Sequence, residues 1–201
     1  MTVSSSSDIP ELADLPCIHD LKRKDGSVVF ILGRREIGKS VMAYRLAEIL
    51  GRPTYAVSPE QRPPRGVVEL ALADVVEQPP IRSTLILDDL PVYASQRDYG
   101  NPLVRVLEQL VPVVRHRRKL TLICCSQSSS LTDKFLLTAD LIACKAPSIL
   151  YEETERQQVV RFYKKIAPEF ERMSDSQRKR RVYIFSEAWR GWAWIALPQR
   201  G

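Results

Sequence analysis

Gly33-Arg34-Arg35-Glu36-Ile37-Gly38-Lys39-Ser40 is the stretch on which the reading of the fold turns. It meets the spacing G-x-x-x-x-G-K-[ST] at every fixed position. Before it, Val28 to Leu32 is a short apolar run rich in β-branched residues, opened by the Asp25-Gly26 turn signal, and predicts a buried strand. After it, Lys39 to Leu50 carries Val41, Met42, Leu46, Ile49 and Leu50 at helical spacing, closed by Gly51 and Pro53. A strand, a glycine turn and a helix in that order make a phosphate cradle. The glycines let the backbone wrap an anion closely, while successive N–H groups and the helix N-terminus point at it. Lys39 then reaches the β- and γ-phosphates, and the Ser40 hydroxyl serves as a Mg²⁺ ligand. The expected nucleotide-contacting span is therefore Gly33, Arg34, Arg35, Glu36, Ile37, Gly38, Lys39, Ser40 and Val41. Glu36 stands where a small residue or glycine is more usual, and its carboxylate has to point away from the phosphates.

The partner of this turn lies in Thr84-Leu85-Ile86-Leu87-Asp88-Asp89. A buried strand ending in a carboxylate delivers Asp88 to the metal at the carboxyl edge of the sheet, where open α/β folds bind their ligands. Asp89 could then orient or deprotonate an attacking water. A third apolar strand, Leu120 to Cys125, ends in Ser126-Gln127. Gln127 at that edge can hydrogen-bond a γ-phosphate or its water and report nucleotide state. Ahead of this strand stands Arg115-His116-Arg117-Arg118-Lys119. A helix C-terminus favours one or two cations, and this cluster exceeds that need. An arginine finger on a neighbouring subunit's γ-phosphate, a contact to DNA and a solvated cluster all fit it.

The rest of the chain alternates strand and helix, which predicts a mostly parallel sheet with helices on both faces. Thr54 to Val57 and Leu141 to Cys144 read as strands, and Glu152 to Ile166 as a helix. Asn101-Pro102 opens a helix with Leu103, Val106, Leu107, Leu110 and Val114 on its apolar face. Val182 to Phe185 and Trp192 to Leu197 flank Arg190-Gly191 and suggest a C-terminal β-hairpin. Trp189, Trp192 and Trp194 could stack bases, although alternation at 192 and 194 more often marks one packed face of a hairpin. Arg178 to Arg181 fits a phosphate-backbone contact or a solvated charge run. Tyr93 to Gly100, just past the carboxylates, reads as a pore or substrate loop. Residues 1–25 show little periodicity and read as an arm outside the core, leaving 26–201 as one domain.

Composition sets the outer limits. The 201 residues are 44% apolar and 27% charged, typical of a soluble globular domain and unlike a disordered chain. No apolar run approaches the ~18 residues that span a bilayer, and Met1 to Ser7 lacks the pattern of a secretory signal. Cys17, Cys124, Cys125 and Cys144 show no Cys-x-x-Cys spacing, and two histidines are too few for a zinc site, so the thiols read as reduced and buried. A net charge of +6 and a pI near 9.2 are compatible with a polyanionic partner and equally with simple solubility.

Together GRREIGKS (33–40), TLILDDL (84–90), RHRRKLTLICCSQ (115–127) and RVYIFSEAWRGWAWIALP (181–198) resemble the FtsK–HerA superfamily of P-loop ATPases. The order is most similar to the genome-packaging ATPases of double-jelly-roll-capsid viruses. The zonular-occludens-toxin-like assembly proteins of filamentous phages are cousins that normally carry a membrane span. The resemblance implies an α/β P-loop NTPase fold (RecA/FtsK-like) in which the strand carrying Gln127 lies between the other two motif strands. It also implies ATP and Mg²⁺ as cofactors, Gln127 as the polar sensor, and Arg115 or Arg117 as the finger. The partners it implies are double-stranded DNA, further copies in a hexameric ring, and capsid-vertex or membrane proteins. The location it implies is the host cytoplasm or the virion. Two other classes share the phosphate loop: a small-molecule or nucleotide kinase, and a nucleotide switch of phage morphogenesis. The kinase class usually needs an arginine-bearing lid, whereas here the basic cluster precedes a strand ending in Gln.

Overall fold

Ser27–Leu32 forms β1, and all six residues are buried, because both faces of this strand are covered. The computed structural model describes residues 9–58, 62–78, 80–88, 111–112, 114, 119–127, 138–155 and 157–196. Around β1 assemble β2 (Thr54–Val57), β3 (Val67–Glu69), β4 (Thr84–Leu87), β5 (Thr121–Ser126), β6 (Leu141–Cys144), β7 (Arg181–Ser186) and β8 (Arg190–Trp194). Their order is β3-β2-β4-β5-β1-β6-β7-β8 in one sheet of eight strands. From β3 to β6 every pairing is parallel, and β7 and β8 add as antiparallel strands at the end. The strand carrying Gln127 at its tip does lie between β1 and β4: Leu32 pairs with Ser126, and Leu87 with Cys124.

Helices α1 (Pro16–Arg23), α2 (Lys39–Leu50), α3 (Leu72–Glu77), α4 (Tyr151–Thr154), α5 (Gln157–Glu171) and α6 (Asp175–Arg180) accompany the sheet, with a short 3-10 turn at Leu12–Asp14. Alternation along the strands divides the core into two layers. Val29, Ile31, Ile86, Ile123 and Cys125 face Met42, Ala43, Leu46 and Ala47 of α2. On the opposite face Val28, Phe30, Leu85, Leu122 and Cys124 pack with Val75 of α3 and with Val111 and Val114. Further along that face Leu32 and Cys144 meet Tyr163, Ile166 and Phe170 of α5. Helices therefore cover both faces, as expected. Among the described residues no helix is long and apolar enough to cross a membrane.

The structure departs from the sequence reading in three places. The segment read as an arm is partly core: Leu12, Leu15, Cys17, Ile18 and Leu21 join the α2 layer. An eight-residue helix shows too few turns for its apolar spacing to stand out, and the buried partner it needs is remote in sequence. The hairpin does form, but its turn runs from Ser186 to Trp189, where the Ser186 N–H donates to the Trp189 carbonyl at 2.9 Å. Gly191 sits inside β8 opposite Ile184, and a Cβ there would stand 3.5 Å from the Trp189 indole. It pairs within a strand and does not turn the chain. The helix expected to end at Ile166 continues to Glu171 through Pro168, with its start broken off as α4.

Tryptophan packing accounts for the hairpin aromatics. Trp192 lies edge-on to Phe170 and Tyr183, with ring centroids 4.8 and 5.3 Å apart. Arg178, read as part of a basic run, donates from Nε to the Phe170 carbonyl at 2.7 Å and from a terminal nitrogen to that of Glu171 at 2.9 Å, closing the end of α5. At the outer edge of the sheet the Trp194 N–H donates to the Pro10 carbonyl at 3.0 Å, and Glu11 bridges to Trp194. Val111 and Pro112 are helical, while the rest of the helix expected from Pro102, apart from buried Val114, and the loop at 93–100 lie outside the described residues.

Candidate phosphate-binding site

The glycine turn leaves β1 at the carboxyl edge of the sheet and is held there from both sides. The Gly33 N–H donates to the Ser126 carbonyl of β5 at 3.2 Å, and the Arg34 N–H to the Ala146 carbonyl beyond β6 at 2.9 Å. Gly33 has φ 152° and Gly38, capping α2, has φ 85°, both backbone conformations that favour glycine. Glu36 adopts φ 59° and is exposed at the rim of the cavity in front of the turn. Ile37 is the anchor: at 2% exposure it packs with Leu32, Cys144, Ala146 and the apolar face of α5. An apolar residue inside the motif thus ties the loop to the core.

Lys39, the first residue of α2, is 7% exposed, and its Nζ donates to the Arg34 carbonyl at 2.9 Å. Ser40 follows half-buried, and Val41 is exposed. Asp88 comes directly after β4 and is 6% exposed, its N–H donating to the Val57 carbonyl at 3.0 Å. Lys39 and Asp88 meet electrostatically at the Cys125 thiol of the intervening strand. Burial first, then the Asp88 charge, hold that thiol well above its usual range, and Lys39 acts in the opposite sense. Burial and the same carboxylate push the Tyr44 hydroxyl of α2 up to about 12. The lysine and the first acid of the Asp-Asp pair therefore both act on the strand that lies between β1 and β4.

A cavity of about 510 Å³ opens over the turn, lined by Arg34, Arg35, Glu36, Ile37, Gln127, Ser148, Ile149, Asp175 and Lys179. Gln127 thus stands beside the motif, as read from the sequence. Asp89, Arg115 and Arg117 lie outside the described residues.

Sequence reasoning missed part of the cavity wall. Ser148 and Ile149, in the loop after β6, and Asp175 and Lys179 of α6 complete the cavity. It also missed Lys145, which has no solvent exposure and donates from Nζ to the Lys179 carbonyl at 2.7 Å. Burial, with the Lys39 charge adding to it, lowers Lys145 to about 7. A lysine directly after an apolar strand is the one signal that pointed here.

Sheet order, glycine turn and carboxyl-edge cavity are those of a P-loop NTPase fold. No family model matches the chain, and no curated protein does. Among solved structures it is similar to the DNA-packaging ATPase B204 of Sulfolobus turreted icosahedral virus, at 14% identity and a TM-score of 0.57 over 86% of this chain and 98% of that one. B204 of Sulfolobus turreted icosahedral virus 2, in complex with ATP-gammaS, aligns at 15% identity and 0.54, covering 85% and 98%. The cytoplasmic domain of the type VII secretion ATPase EccC of Thermomonospora curvata aligns at 13% and 0.55, covering 90% of this chain and 24% of that one. The family resemblance drawn from the motifs is thus matched in three dimensions, at the level of fold.

Proposed function

We propose that the chain is an ATP-hydrolysing motor that moves double-stranded DNA, packaging a viral genome into a preformed capsid. One observation carries the reading: β5, tipped by Gln127, is inserted between the strand that feeds the glycine turn and the strand that ends in Asp88. A γ-phosphate held by the turn would lie on the sheet edge from which Lys39, Asp88 and Gln127 all project. The likeness to B204 over nearly that whole protein supports packaging as the task.

In this mechanism the loop amides and Lys39 neutralise the β- and γ-phosphates. Ser40 and the nearly buried Asp88 offer hard oxygen donors, the set Mg²⁺ takes when phosphates and waters supply the remaining ligands. Bound there, Mg²⁺ screens the charge of the terminal phosphates. Asp89 positions the attacking water, and Arg115 or Arg117 from a neighbouring copy stabilises the in-line transition state. Gln127 senses loss of the γ-phosphate and passes it to the loops that grip DNA. The assembly is a hexameric ring that works in the host cytoplasm at a capsid vertex and recruits capsid or membrane proteins there.

The test is the ATPase rate with and without double-stranded DNA, paired with native mass measurement. DNA-stimulated hydrolysis by an oligomer is expected. A phosphorylated small-molecule acceptor, or tight nucleotide binding with DNA-independent and very slow turnover, would overturn the motor.

A further inference from the structure

Both glycines of the motif lie beside one internal strut, Gly33 tightly and Gly38 in ordinary contact. A Cβ on Gly33 would stand 2.9 Å from the Lys145 Cβ, and a Cβ on Gly38 would stand 3.5 Å from the Lys179 carbonyl oxygen. These two contacts are joined by the 2.7 Å bond from Lys145 Nζ to that same oxygen. The main chain reinforces the arrangement: the Lys145 N–H donates to the Leu32 carbonyl at 2.8 Å, and the Arg34 N–H to that of Ala146 at 2.9 Å. Residues 145 and 146 bracket the entrance to the turn, while the Lys145 side chain passes behind it to the last turn of α6.

We infer that Lys145 is a positioning residue of the phosphate site, tying Lys179 and α6 to the back of the glycine turn so that loop and cavity wall act as one body. This rests on the nucleotide reading above and adds to it a residue outside the motifs. None of the residues of α6 is buried; its other ties are the two bonds from Arg178 to the end of α5 and the one from the Ile195 N–H to the Arg180 carbonyl. Yet Asp175 and Lys179 form part of the cavity wall, and α6 runs directly into β7. Losing the strut unties Lys179 from the back of the turn while leaving the motif intact.

Its chemistry separates this role from plain packing. An amine without solvent exposure is a costly way to fill space, and an apolar side chain of the same length would fold more stably. Among the described residues Lys39 is the charged side chain that acts on Lys145, and α6 presents only a carbonyl to it. A polyphosphate in front of the turn offsets the Lys39 charge and favours the protonated form of Lys145. By linkage, nucleotide affinity then strengthens as pH falls toward 6.

The experiment compares ATP affinity by calorimetry and melting temperature from pH 6 to 8.5 for the full chain, Lys145→Met, Lys145→Gln and Lys39→Ala. Lys145→Met is expected to melt at or above the wild-type temperature at pH 7, yet to bind ATP about tenfold more weakly. Its affinity should also vary less with pH than that of the wild type. Lys145→Gln, which keeps a donor but not the charge, should fall between them in affinity and share the flattened pH profile. Wild-type affinity and pH profile in a folded Lys145→Met overturn the proposal. If that variant fails to fold, the same result in Lys145→Gln overturns it. Lys39→Ala isolates the reading beneath: undiminished ATP binding there would remove the nucleotide site itself, whereas loss there with normal Lys145 variants removes only the strut.

Discussion

Lys39 Nζ and the Arg34 carbonyl face each other across the glycine turn at 2.9 Å, so the ammonium already lies within the concavity of the loop. Little reorganisation is needed when phosphate oxygens arrive, which is the condition for electrostatic stabilisation of a transition state. Lys39→Ala should therefore lower ATP turnover by about 100-fold or more, a loss typical of deleting one preorganised charge donor. Phosphate release at saturating ATP measures it. Turnover within a few-fold of wild type would show that the turn does not hold the reacting phosphates.

The two motif glycines should not be equally sensitive. Gly33→Ala drives a Cβ to 2.9 Å from Lys145 at φ 152°, with Ile37 at 3.2 Å on another side. Gly38→Ala meets its nearest atom at 3.5 Å and suffers mainly from φ 85°. The second change should cost about 1 kcal/mol, as for a single left-handed residue, and the first about 2–3 kcal/mol, as for overpacking added to backbone strain. Urea denaturation of both variants checks the order, and a Gly38→Ala protein less stable than Gly33→Ala contradicts it.

Asp88→Asn tests the metal assignment separately from the nucleotide assignment. The substitution keeps the size of the side chain and removes its charge. Mg²⁺-dependent hydrolysis should fall by about 100-fold, while ATP binding measured in EDTA stays within a few-fold of wild type. Unchanged Mg²⁺ dependence would move the metal ligand elsewhere.

The thiols supply a prediction about pH. Cys17, Cys124, Cys125 and Cys144 are all buried. Burial raises each of them above the ordinary value of 9.0, Cys144 to about 12. In the unfolded chain the same thiols ionise near 9, so between about 9 and 12 the unfolded state binds fewer protons than the folded one. Stability contributed by the neutral buried thiols is thus complete below pH 9 and is lost as pH rises beyond it. The native protein should resist thiol reagents at pH 8 and expose four reactive groups in denaturant. Its melting temperature should drop between pH 9 and 10.5, less so in a Cys124→Ala variant. Rapid labelling of the native protein would contradict this burial.

A shared active site predicts complementation. Arg117→Ala or Arg115→Ala protein mixed with Lys39→Ala protein should recover measurable ATPase activity, because each mixed interface can pair an intact turn with an intact arginine. Recovery with neither arginine variant would argue for a site built within one copy.

The sheet and the motif edge were legible in sequence because their signals are local. Six buried residues in β1 read as one apolar run, and the helix predicted over Lys39 to Leu50 forms over that span. The rest depended on contacts between remote residues. The apolar face of α1 makes sense only once α2 is placed over it, and Gly191 looks like a turn until its pairing with Ile184 inside β8 is known. α6 is six residues long, opened by a Ser174–Gln177 capping box and otherwise polar, so nothing in its periodicity set it apart from a solvated charge run. Lys145 was overlooked for the same reason: its meaning lies in a carbonyl thirty-four positions away.

The contact between Trp194 and the Pro10–Glu11 stretch bears on how copies can meet. It occupies part of the hydrogen-bonding margin of β8, where a further strand would otherwise add, and the opposite margin is the three-residue β3. Among the described residues neither border offers a long free ladder. Growth of the sheet from one molecule into the next is thereby discouraged, and the ring proposed above would have to be built from loops and helix surfaces.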